Sequence, residues 1–383
     1  MKPDVIVVGG GAVGVCCALE LRRRGAQVQL LERGPALASG CSAGNAGLVC
    51  PSHSVPISNP TSLRNGLRWM GKRDSPFYLR PRVSVLPWLA RYTLAARRWE
   101  EGSHAIQALS VPSLELHAQL GEQLGTSFER TGTLSVYATE AGFESAVGEG
   151  ERSGLTFSVL GPEETRALEP SITGPAVGGV HYPDEGRVDP KAFVDTVGRV
   201  AREEGVEIRT GVEVYSLEDL DADTVVVAAG AWSRALVDLP LEGGKGYHVD
   251  FEYADGDPKI PAWLQETLTV ATPLPGRLRL SGTLELAGLD LSVSQPRVDA
   301  IRRGGDRWFE GLVGRPVADV WAGIRPCLPD GLPAIGWLDG VIVATGHAMK
   351  GVALAPITGR AVAQLIAGEQ PDVDLTPFDP ERF

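Results

Sequence analysis

The sequence predicts an α/β fold in which a Rossmann-like dinucleotide-binding domain is interleaved with a second domain. Three observations predict it: a glycine-rich turn between an N-terminal strand and helix, β-branched strands that recur much later, and a second glycine-rich turn before the last helix. A chain of 383 residues is also longer than one hydrophobic core usually holds. We therefore expect two domains, the first assembled from separated segments.

The N-terminal strand, turn and helix have the pattern of a complete dinucleotide-binding unit. Residues 5–8 are apolar and β-branched, and a helical pattern follows the turn as far as Gly25. Gly9 permits the tight turn, Gly11 lets the backbone approach a pyrophosphate, and Gly14 lets the helix pack on the strand. The helix N-terminus then offers free N–H groups to the phosphates.

The next strand, residues 28–31, ends at an acidic residue. Glu32 follows Gly14 by 18 residues and is positioned to accept hydrogen bonds from ribose hydroxyls. Arg33 would suit a 2′-phosphate, but the neighbouring carboxylate would repel one. NADP is therefore disfavoured.

Composition excludes several classes of protein. A net charge of −12 argues against nucleic acid as a partner, and no run of 18 apolar residues predicts a transmembrane helix. The first strand begins by residue 5, so we expect no signal peptide. An odd number of cysteines without metal spacing predicts no metal site and a reducing, cytoplasmic location. The cysteines are Cys16, Cys17, Cys41, Cys50 and Cys327.

Later segments favour FAD over NAD. Residues 39–49 form a second small-residue loop, to which Ser42 and Asn45 add polar contacts. A helix capped by Asp189 and running to about residue 205 predicts a return to the first sheet through strands at 206–209, 211–217 and 224–229.

The final strand, residues 341–345, leads through the loop 346–351 into a helix at about 352–367. A helix N-terminus there would stabilise the negative charge of a reduced flavin, for which NAD has no equivalent need.

The chain resembles the D-amino-acid oxidase superfamily of flavoenzymes, and most closely its bacterial D-amino-acid dehydrogenase branch. The matching segments recur in the family's order along almost the whole chain. They are residues 9–14 with Glu32, 44–47, 75–82, 225–233, 245–247, 277–282, 323–326 and 346–351.

The resemblance implies an FAD domain and a second domain whose largely antiparallel sheet covers the flavin. With this fold, residues 1–50, 175–238 and 322–383 form the FAD domain, and residues 51–174 and 239–321 form the substrate domain. The residues expected to bind FAD are Gly9, Gly11, Ala12, Val13, Gly14, Glu32, Arg33, Ser42, Ala43, Asn45, Ala46, Gly47, Leu48, Val214, Ala229, Gly230, Trp232, Gly346, His347, Lys350, Gly351 and Val352. We expect non-covalent FAD, because the spacing of Cys327 from Asp330 differs from that of covalent amine oxidases.

Arg325 is the first candidate for binding a substrate carboxylate. Pro326 restricts it to extended backbone, and a planar guanidinium suits a bidentate contact with a carboxylate. In the resembled family the arginine of this Gly-x-Arg-Pro segment has that role. An arginine paired with an internal acid is the alternative. Tyr247 is a second candidate, with a core tyrosine equally compatible with the sequence.

Two further residues of the final loop belong to the predicted catalytic group. Lys350 departs from the apolar residue usual in D-amino-acid dehydrogenases, and either shares the carboxylate with Arg325 or stabilises the flavin's charge. His347 is expected to pack beside the flavin. His53 is a weaker pocket candidate, and Asp250 and Glu252 are expected to be solvated.

Basic and aromatic residues are mixed between Thr61 and Trp99. This segment holds nine basic residues and one acidic residue, Asp74, which leaves −20 on the rest of the chain (−12 minus +8). Such a mixture suits an anionic membrane surface or a quinone entry site. The alternative is a cationic face that pairs with the acidic remainder of the fold or with another subunit. The basic residues are Arg64, Arg68, Lys72, Arg73, Arg80, Arg82, Arg91, Arg97 and Arg98.

The resemblance implies oxidative deamination of a D-amino acid, with electrons passed to a quinone or another acceptor other than oxygen. Two alternatives remain open. One is an oxygen-using amine oxidase for glycine, sarcosine, D-proline or hydroxyproline, and the other is a non-catalytic FAD-binding protein. The sequence leaves open the side chain and stereochemistry of the substrate, the oligomeric state, and peripheral attachment to the inner face of the membrane.

Overall fold

The computed structural model describes residues 2–69, 75–80 and 82–383, with side chains undescribed for residues 67–69. The strands within these residues are β1 (Val5–Val8), β2 (Val28–Glu32), β3 (Leu48–Val49), β4 (Phe77–Leu79), β5 (Thr133–Tyr137), β6 (Ser158–Leu160), β7 (Gly178–Tyr182), β8 (Gly186–Arg187), β9 (Glu207–Thr210), β10 (Thr224–Val227), β11 (Glu242–Glu252), β12 (Ala262–Leu264), β13 (Thr269–Leu274), β14 (Arg277–Leu286), β15 (Asp319–Cys327), β16 (Ala334–Leu338) and β17 (Val341–Thr345).

The α-helices within the same residues are α1 (Ala12–Arg23), α2 (Pro60–Trp69), α3 (Leu86–Ala95), α4 (Trp99–Leu124), α5 (Glu140–Ser153), α6 (Pro162–Leu168), α7 (Pro190–Glu203), α8 (Gln295–Asp306) and α9 (Ala355–Ile366). Among the helices of the described part of the chain, none combines the length and apolarity needed to cross a bilayer.

The first sheet has six strands in the order β16-β17-β10-β1-β2-β9. β16 is antiparallel to β17, and the remaining neighbours are parallel. Its central strands are apolar on both faces because helices α1, α7 and α9 cover one face and residues 212–241 pack on the other. Gly359 lets α9 approach α1 closely, since a Cβ there would lie 2.7 Å from the Cys16 carbonyl carbon.

The second sheet has nine strands, with β4 beside β14 and the others in the order β15-β11-β14-β13-β12-β5-β7-β6. It is largely antiparallel, and only the pairs β12·β5 and β4·β14 are parallel within the described residues. Helix α8 covers one face through Val298 and Ile301. The predicted α/β fold with a largely antiparallel second sheet is therefore confirmed.

The division into two domains remains a proposal. The first sheet lies wholly within the segments assigned to the FAD domain. The second sheet, however, includes β7 at Gly178–Tyr182 and all of β15. If domains were assigned by sheet, the proposed boundaries at residues 175 and 322 would each move by a few residues.

Three local predictions are wrong. Residues 211–217 do not form a strand, because Gly211 and Val212 donate to the carbonyls of Gly34 and Glu32 and so cross the end of β2. The last helix begins at Ala355 rather than near 352, after a short 3-10 turn at Ala348–Lys350.

The third wrong prediction concerns the exposure of Asp250. It is 4% exposed rather than solvated, because the guanidinium groups of Arg277 and Arg279 lie 3.2 and 2.8 Å from its carboxylate. Glu252, by contrast, is exposed as expected.

Candidate active site

A cavity of about 980 Å³ lies between the two sheets. The residues at the carboxyl ends of β1, β2, β10 and β17 form one wall, and residues of β11, β12, β14 and β15 contribute to the opposite wall. Ligand sites of doubly wound folds lie at these carboxyl ends.

The turn after β1 is built as the sequence predicts. Gly9 has φ +116°, and a Cβ on Gly14 would lie 1.8 Å from the Gly9 carbonyl oxygen. Only glycine allows the strand and the helix to approach this closely. Gly9 and Gly14 therefore shape the turn, while the adjacent Gly11, Ala12 and Val13 line the cavity.

Glu32 has both carboxylate oxygens in hydrogen bonds to this turn and the next. Its Oε2 accepts from the Gly10 N–H at 2.7 Å, and its Oε1 accepts from the Gly34 N–H at 2.6 Å. The carboxylate is thus held at the edge of the cavity, where its remaining lone pairs can accept from ribose hydroxyls.

The outer end of this wall presents a flat surface. The Arg33 guanidinium lies 3.6 Å from the centroid of the Trp232 ring. Both residues line the cavity together with Val214, Ala229 and Gly230.

Asn45 joins the two loops that close over the cavity. Its Nδ2 donates to the Met349 carbonyl at 3.0 Å, and its Oδ1 accepts from the Gly47 N–H at 2.8 Å. Arg279 donates to the carbonyls of Ala43 and Asn45 at 3.0 and 2.9 Å. The loop at 42–48 is therefore fastened both to the final loop and to the second sheet.

Five of the residues predicted to bind FAD do not line the cavity. They act through the backbone, in close chain packing or as a hydrogen-bonding carbonyl. A Cβ on Gly47 would lie 2.3 Å from the Val188 carbonyl oxygen, and one on Gly346 would lie 2.4 Å from Leu328. The five are Gly9, Gly14, Ala43, Gly47 and Gly346. The predicted residues that do line the cavity are Gly11, Ala12, Val13, Glu32, Arg33, Ser42, Asn45, Ala46, Leu48, Val214, Ala229, Gly230, Trp232, His347, Lys350, Gly351 and Val352.

This wall fits a dinucleotide. The Ala12 N–H, the first of α1, donates to Ser42 Oγ at 3.0 Å, and the next N–H groups have no carbonyl within their own helix to reach. Beside this helix end are the fixed carboxylate of Glu32 and the flat cationic surface of Arg33 and Trp232. A pyrophosphate, a ribose and an aromatic base need these three groups in this order.

Arg325 lies on β15, and its guanidinium extends across β11 to β14. Its Nη1 donates to the Thr283 carbonyl at 2.8 Å, and among the described residues no carboxylate pairs with it. Burial lowers the pKa of Arg325, but an arginine side chain stays charged. The guanidinium is therefore a half-buried cation that lines the cavity and has no acidic partner in the described part of the chain.

Two backbone features hold this arginine. Thr283 has φ +67°, which is strained for a β-branched residue and turns its carbonyl toward Arg325. A Cβ on Gly246 would lie 2.2 Å from the guanidinium, so glycine at this position leaves the space that the guanidinium occupies. Sequence reasoning did not identify either feature, although Gly246 belongs to the matching segment 245–247.

Tyr247 lines the same cavity, but its hydroxyl group is already hydrogen-bonded to a residue of the second sheet. Its phenol donates to Glu285 Oε2 at 2.7 Å, and burial together with this bond raises its pKa. The residue is 1% exposed and packs in the core of the second sheet. Its role in binding a carboxylate stays a prediction, and its one proton is committed to Glu285.

The final loop places two more predicted residues on the cavity. Lys350 Nζ donates to the His53 carbonyl, and burial lowers its pKa. His347 Nε2 lies 3.0 Å from Thr358 Oγ1, and burial lowers its pKa to about 3, so its ring is neutral.

His53 is more closely integrated in the site than the sequence suggests. Its ring stacks on Trp263 at a centroid distance of 4.1 Å and an interplanar angle of 7°, and both line the cavity. Ser52 and the buried Glu185 adjoin it. Trp263, Ser52 and Glu185 were missed, since no local motif connects these separated segments.

One group of potential metal ligands lies close to the cavity wall, and arginine side chains already neutralise its buried carboxylate. Among the described residues, ligand atoms of His248, Asp250 and Asp319 lie within 4.8 Å of one another. Asp250 is held by Arg277 and Arg279, and the two guanidinium groups supply the positive charge that a metal would bring.

Comparison with known proteins agrees with this geometry. The profile of the family described as "DAO: FAD dependent oxidoreductase" matches residues 4–365. A D-amino-acid oxidase of Bradyrhizobium diazoefficiens is 31% identical, over 99% of this chain and 98% of that protein. A D-amino acid dehydrogenase of Methylobacterium sp. (strain 4-46) is 30% identical, over 99% of each. Glycine oxidase from Geobacillus kaustophilus has the same fold, with a TM-score of 0.80 and 22% identity over 100% of this chain and 99% of that one.

The fold and the site therefore define an FAD-dependent oxidoreductase. The chain belongs to the DAO family of FAD-dependent oxidoreductases, and FAD is its cofactor.

Proposed function

We propose that this enzyme oxidatively deaminates D-amino acids to imino acids, which water then hydrolyses to keto acids and ammonia. The observation that carries the proposal is Arg325, a half-buried cation that has no acidic partner among the described residues and lies on the wall opposite the FAD-binding turn. The relatives that are 30–31% identical over 99% of the chain are named D-amino-acid oxidase and D-amino acid dehydrogenase.

The residues of the cavity act mainly by positioning. Arg325 binds the substrate carboxylate through the N–H groups that Thr283 does not use, which fixes the direction of the Cα–H bond. The fastened loops at 42–48 and 346–352 exclude water from the reacting face. Bound FAD supplies the hydride acceptor, its N5 atom.

The test is anaerobic mixing of the FAD-loaded enzyme with a panel of D-, L- and N-methyl amino acids. We expect D-amino acids to bleach the flavin absorbance and their L-enantiomers to leave it unchanged. Bleaching by L-enantiomers alone would contradict the D-configuration. No bleaching by any member would leave a non-catalytic FAD-binding protein as the better interpretation.

A small or N-alkylated substrate is the second candidate, and Lys350 favours it. In sarcosine-oxidase members of the resembled superfamily, a lysine at this loop position contacts the substrate carboxylate, and Lys350 lines this cavity. Glycine, sarcosine, D-proline and hydroxyproline in the same panel decide between the two. Faster bleaching by these than by larger D-amino acids would support the second candidate.

For the electron acceptor we propose a quinone reached at an anionic membrane surface. The observation is an exposed apolar face on α3 and the turn before it, where Val83, Leu86 and Leu94 are 84%, 58% and 61% exposed. Leu86 and Leu94 lie two turns apart on one helix face, while Trp88 and Tyr92 bury the opposite face.

Cations border this apolar face, which we call the α3 face (Val83, Leu86 and Leu94). Arg91, Arg97 and Arg98 are exposed beside it, and Trp99, which follows them, lines the cavity. Basic residues around apolar side chains favour anionic lipid surfaces. Lys72, Arg73 and Asp74 of the basic segment lie outside the described residues, as do the side chains of Arg68 and Trp69.

Part of the basic segment supports the alternative interpretation. Arg82 lies 2.6 Å from Glu242, and Arg80 lies 3.5 Å from Asp290, so these two cations pair with the acidic remainder of the fold. Arg98 likewise lies 2.6 Å from Glu101, so the membrane proposal rests on the α3 face with Arg91 and Arg97.

Flotation with phosphatidylglycerol vesicles tests this proposal. We expect the enzyme to float with these vesicles and to be released by Leu86→Asp with Leu94→Asp. The control is Val159→Asp, which changes a 46% exposed apolar residue on β6. Dye reduction without hydrogen peroxide is expected alongside, whereas stoichiometric peroxide at a comparable rate would make the enzyme an oxidase.

A further inference from the structure

A continuous chain of polar groups runs from the cavity into the protein at Ser52 and His53. Ser52 Oγ donates to Glu185 Oε2 at 3.0 Å, and the Ser52 N–H donates to Glu185 Oε1 at 2.6 Å. His53 Nδ1 lies 3.1 Å from the same Ser52 hydroxyl. Glu185 is only 3% exposed, so His53 connects a buried carboxyl group to the cavity.

The fold builds this chain through its smallest sheet. β3 pairs with β8 in the register Leu48 to Arg187 and Val49 to Gly186. The residue before β8, Glu185, is thereby brought beneath the turn that follows β3. Gly186 lets the chain at Glu129 pack against β8, since a Cβ there would lie 2.2 Å from the Glu129 carbonyl oxygen.

The hydrogen bonds fix the tautomer of His53. A serine hydroxyl has one proton, and because Ser52 donates it to Glu185, the hydroxyl accepts from His53 Nδ1–H. Nε2 is then left with a lone pair. The hydroxyl of Ser135 and the amide nitrogen of Gln265 each lie 3.5 Å from Nε2, which agrees with an accepting nitrogen.

The groups around Glu185 set its ionisation. Burial raises the pKa of Glu185 to about 7, while hydrogen bonds from Thr133 and Ser52 and the charge of Lys350 oppose that rise. Burial, and then the charge of Lys350, lowers the pKa of His53 to about 3, so its ring is neutral. The titratable groups that face this chain are Lys350, Cys50 and Tyr182.

The chain and the carboxylate-binding arginine share one cavity. Arg325 is two residues from Cys327, which forms a β-bridge with His347. Three residues after His347, the Lys350 ammonium donates to the His53 carbonyl. An amino acid held by Arg325 therefore has its ammonium group in the cavity that His53 lines.

A hydride can leave Cα only when the nitrogen lone pair is free to form the C=N bond, so the substrate ammonium must first lose a proton. We propose that the Glu185–Ser52–His53 chain accepts this proton, with His53 as the catalytic residue and Ser52 and Glu185 as its relay. This inference rests on the proposed function and extends it.

The transfer conserves atoms and charge. The N–H bond of the ammonium breaks and an N–H bond forms at His53 Nε2. The Nδ1 proton passes to Ser52 Oγ, and the Ser52 proton passes to Glu185 Oε2. An ammonium and a carboxylate thereby become an amine and a carboxylic acid, with no change in net charge.

The first test is the pH dependence of flavin reduction with the fastest D-amino acid of the panel. In the wild type we expect the rate to fall as pH drops through about 7, where Glu185 becomes protonated. Ser52→Ala and Glu185→Gln should lose about 100-fold at pH 7.5. Their remaining rate should rise with pH along the titration of the substrate's own ammonium group.

Thr133→Val is the matched control. It removes a donor to Glu185 Oε2 but leaves the chain intact. Because that donor stabilises the carboxylate, its loss should shift the low-pH limb to higher pH without abolishing it. Identical pH profiles in Ser52→Ala and the wild type would overturn the relay.

The second test requires no turnover. α-Aminoisobutyrate has no α-hydrogen and cannot be oxidised, and its ammonium charge beside the chain should shift the infrared titration of the Glu185 carboxyl group from about pH 7 to lower pH. The carboxyl band and its shift should be absent in Glu185→Gln. An unchanged wild-type spectrum overturns the relay, whereas a flavin that no amino acid bleaches removes the proposed function instead.

Discussion

The two ends of the cavity hold their charged groups in opposite ways. Glu32, at the FAD-binding turn, has each carboxylate oxygen bonded to a backbone N–H group. Arg325, at the end proposed to bind substrate, has one hydrogen bond among the described residues, to the Thr283 carbonyl. A buried charge without its full set of partners is costly, so the second arrangement indicates a charge kept for a ligand and the first indicates a charge that shapes the fold.

Glu32→Ala should have the largest effect, because it damages the fold and the FAD site together. The N–H groups of Gly10 and Gly34 would lose their partner, at a cost of about 1–3 kcal/mol each. We expect the purified variant to lose its flavin and to unfold at lower urea concentration. Glu207→Ala, on the neighbouring strand and exposed, is the control. Full flavin content in Glu32→Ala would remove the carboxylate from the FAD site.

Arg325→Met should affect the substrate end alone. Loss of the carboxylate contact should remove about 2–3 kcal/mol of transition-state binding, a decrease of roughly 30- to 150-fold in kcat/KM. Flavin content should match the wild type, which separates this variant from Glu32→Ala. Arg199→Met, an exposed arginine on α7, is the control. Unchanged kinetics would exclude Arg325 from the site.

The same contrast explains what the sequence can predict. The FAD-binding turn and Glu32 lie in one segment of 28 residues (5 to 32), so their spacing alone determines their arrangement. Ser52 and Glu185 are 133 residues apart and meet only because the two-residue strands β3 and β8 pair. Strands this short have no detectable periodicity.

Asp250, on the second sheet, is another residue whose partners the sequence could not predict, because they come from a different strand. Alternation along β11 suggested a solvated face, but Arg279 from β14 neutralises Asp250 and donates to the loop at 42–48 above it. Pro326 and the family resemblance were enough to single out Arg325, which lines the cavity, while its role in binding a carboxylate stays a prediction. The strained Thr283 was not predictable, because positive φ at a threonine has no signal in the sequence.

The final loop, which borders both ends of the cavity, depends on a neutral histidine. His117 on α4 donates from Nε2 to the Val352 carbonyl at 3.1 Å, and burial lowers its pKa to about 4. Between about pH 6.5 and 4, His117 is therefore protonated in the unfolded chain but neutral in the folded protein. Stability should fall as pH decreases through this range, by about 2 kcal/mol between pH 7.5 and 5 from this residue.

His117→Gln tests this dependence, because glutamine keeps an N–H donor but does not titrate. Urea unfolding at pH 7.5 and 5 should show a smaller loss of stability in the variant than in the wild type. His53 and His347, whose pKa values are also lowered, should retain part of the dependence. The same loss in both proteins would show that His117 is not responsible.

Gly246→Ala should have the smallest effect, since it alters the position of Arg325 without removing its charge. It therefore separates the contribution of the guanidinium's position from that of its charge. The new Cβ would lie 2.2 Å from the guanidinium, which must move away from the Thr283 carbonyl. A displaced bidentate contact should raise the Kd for substrate about 10-fold, with flavin content unchanged. Gly121→Ala, inside α4 with its nearest neighbour at 3.7 Å, is the control and should gain about 0.5–1 kcal/mol of stability. If Gly246→Ala bound substrate as tightly as this control, the position of the guanidinium on β15 would not matter, and Arg325 would act through its charge alone.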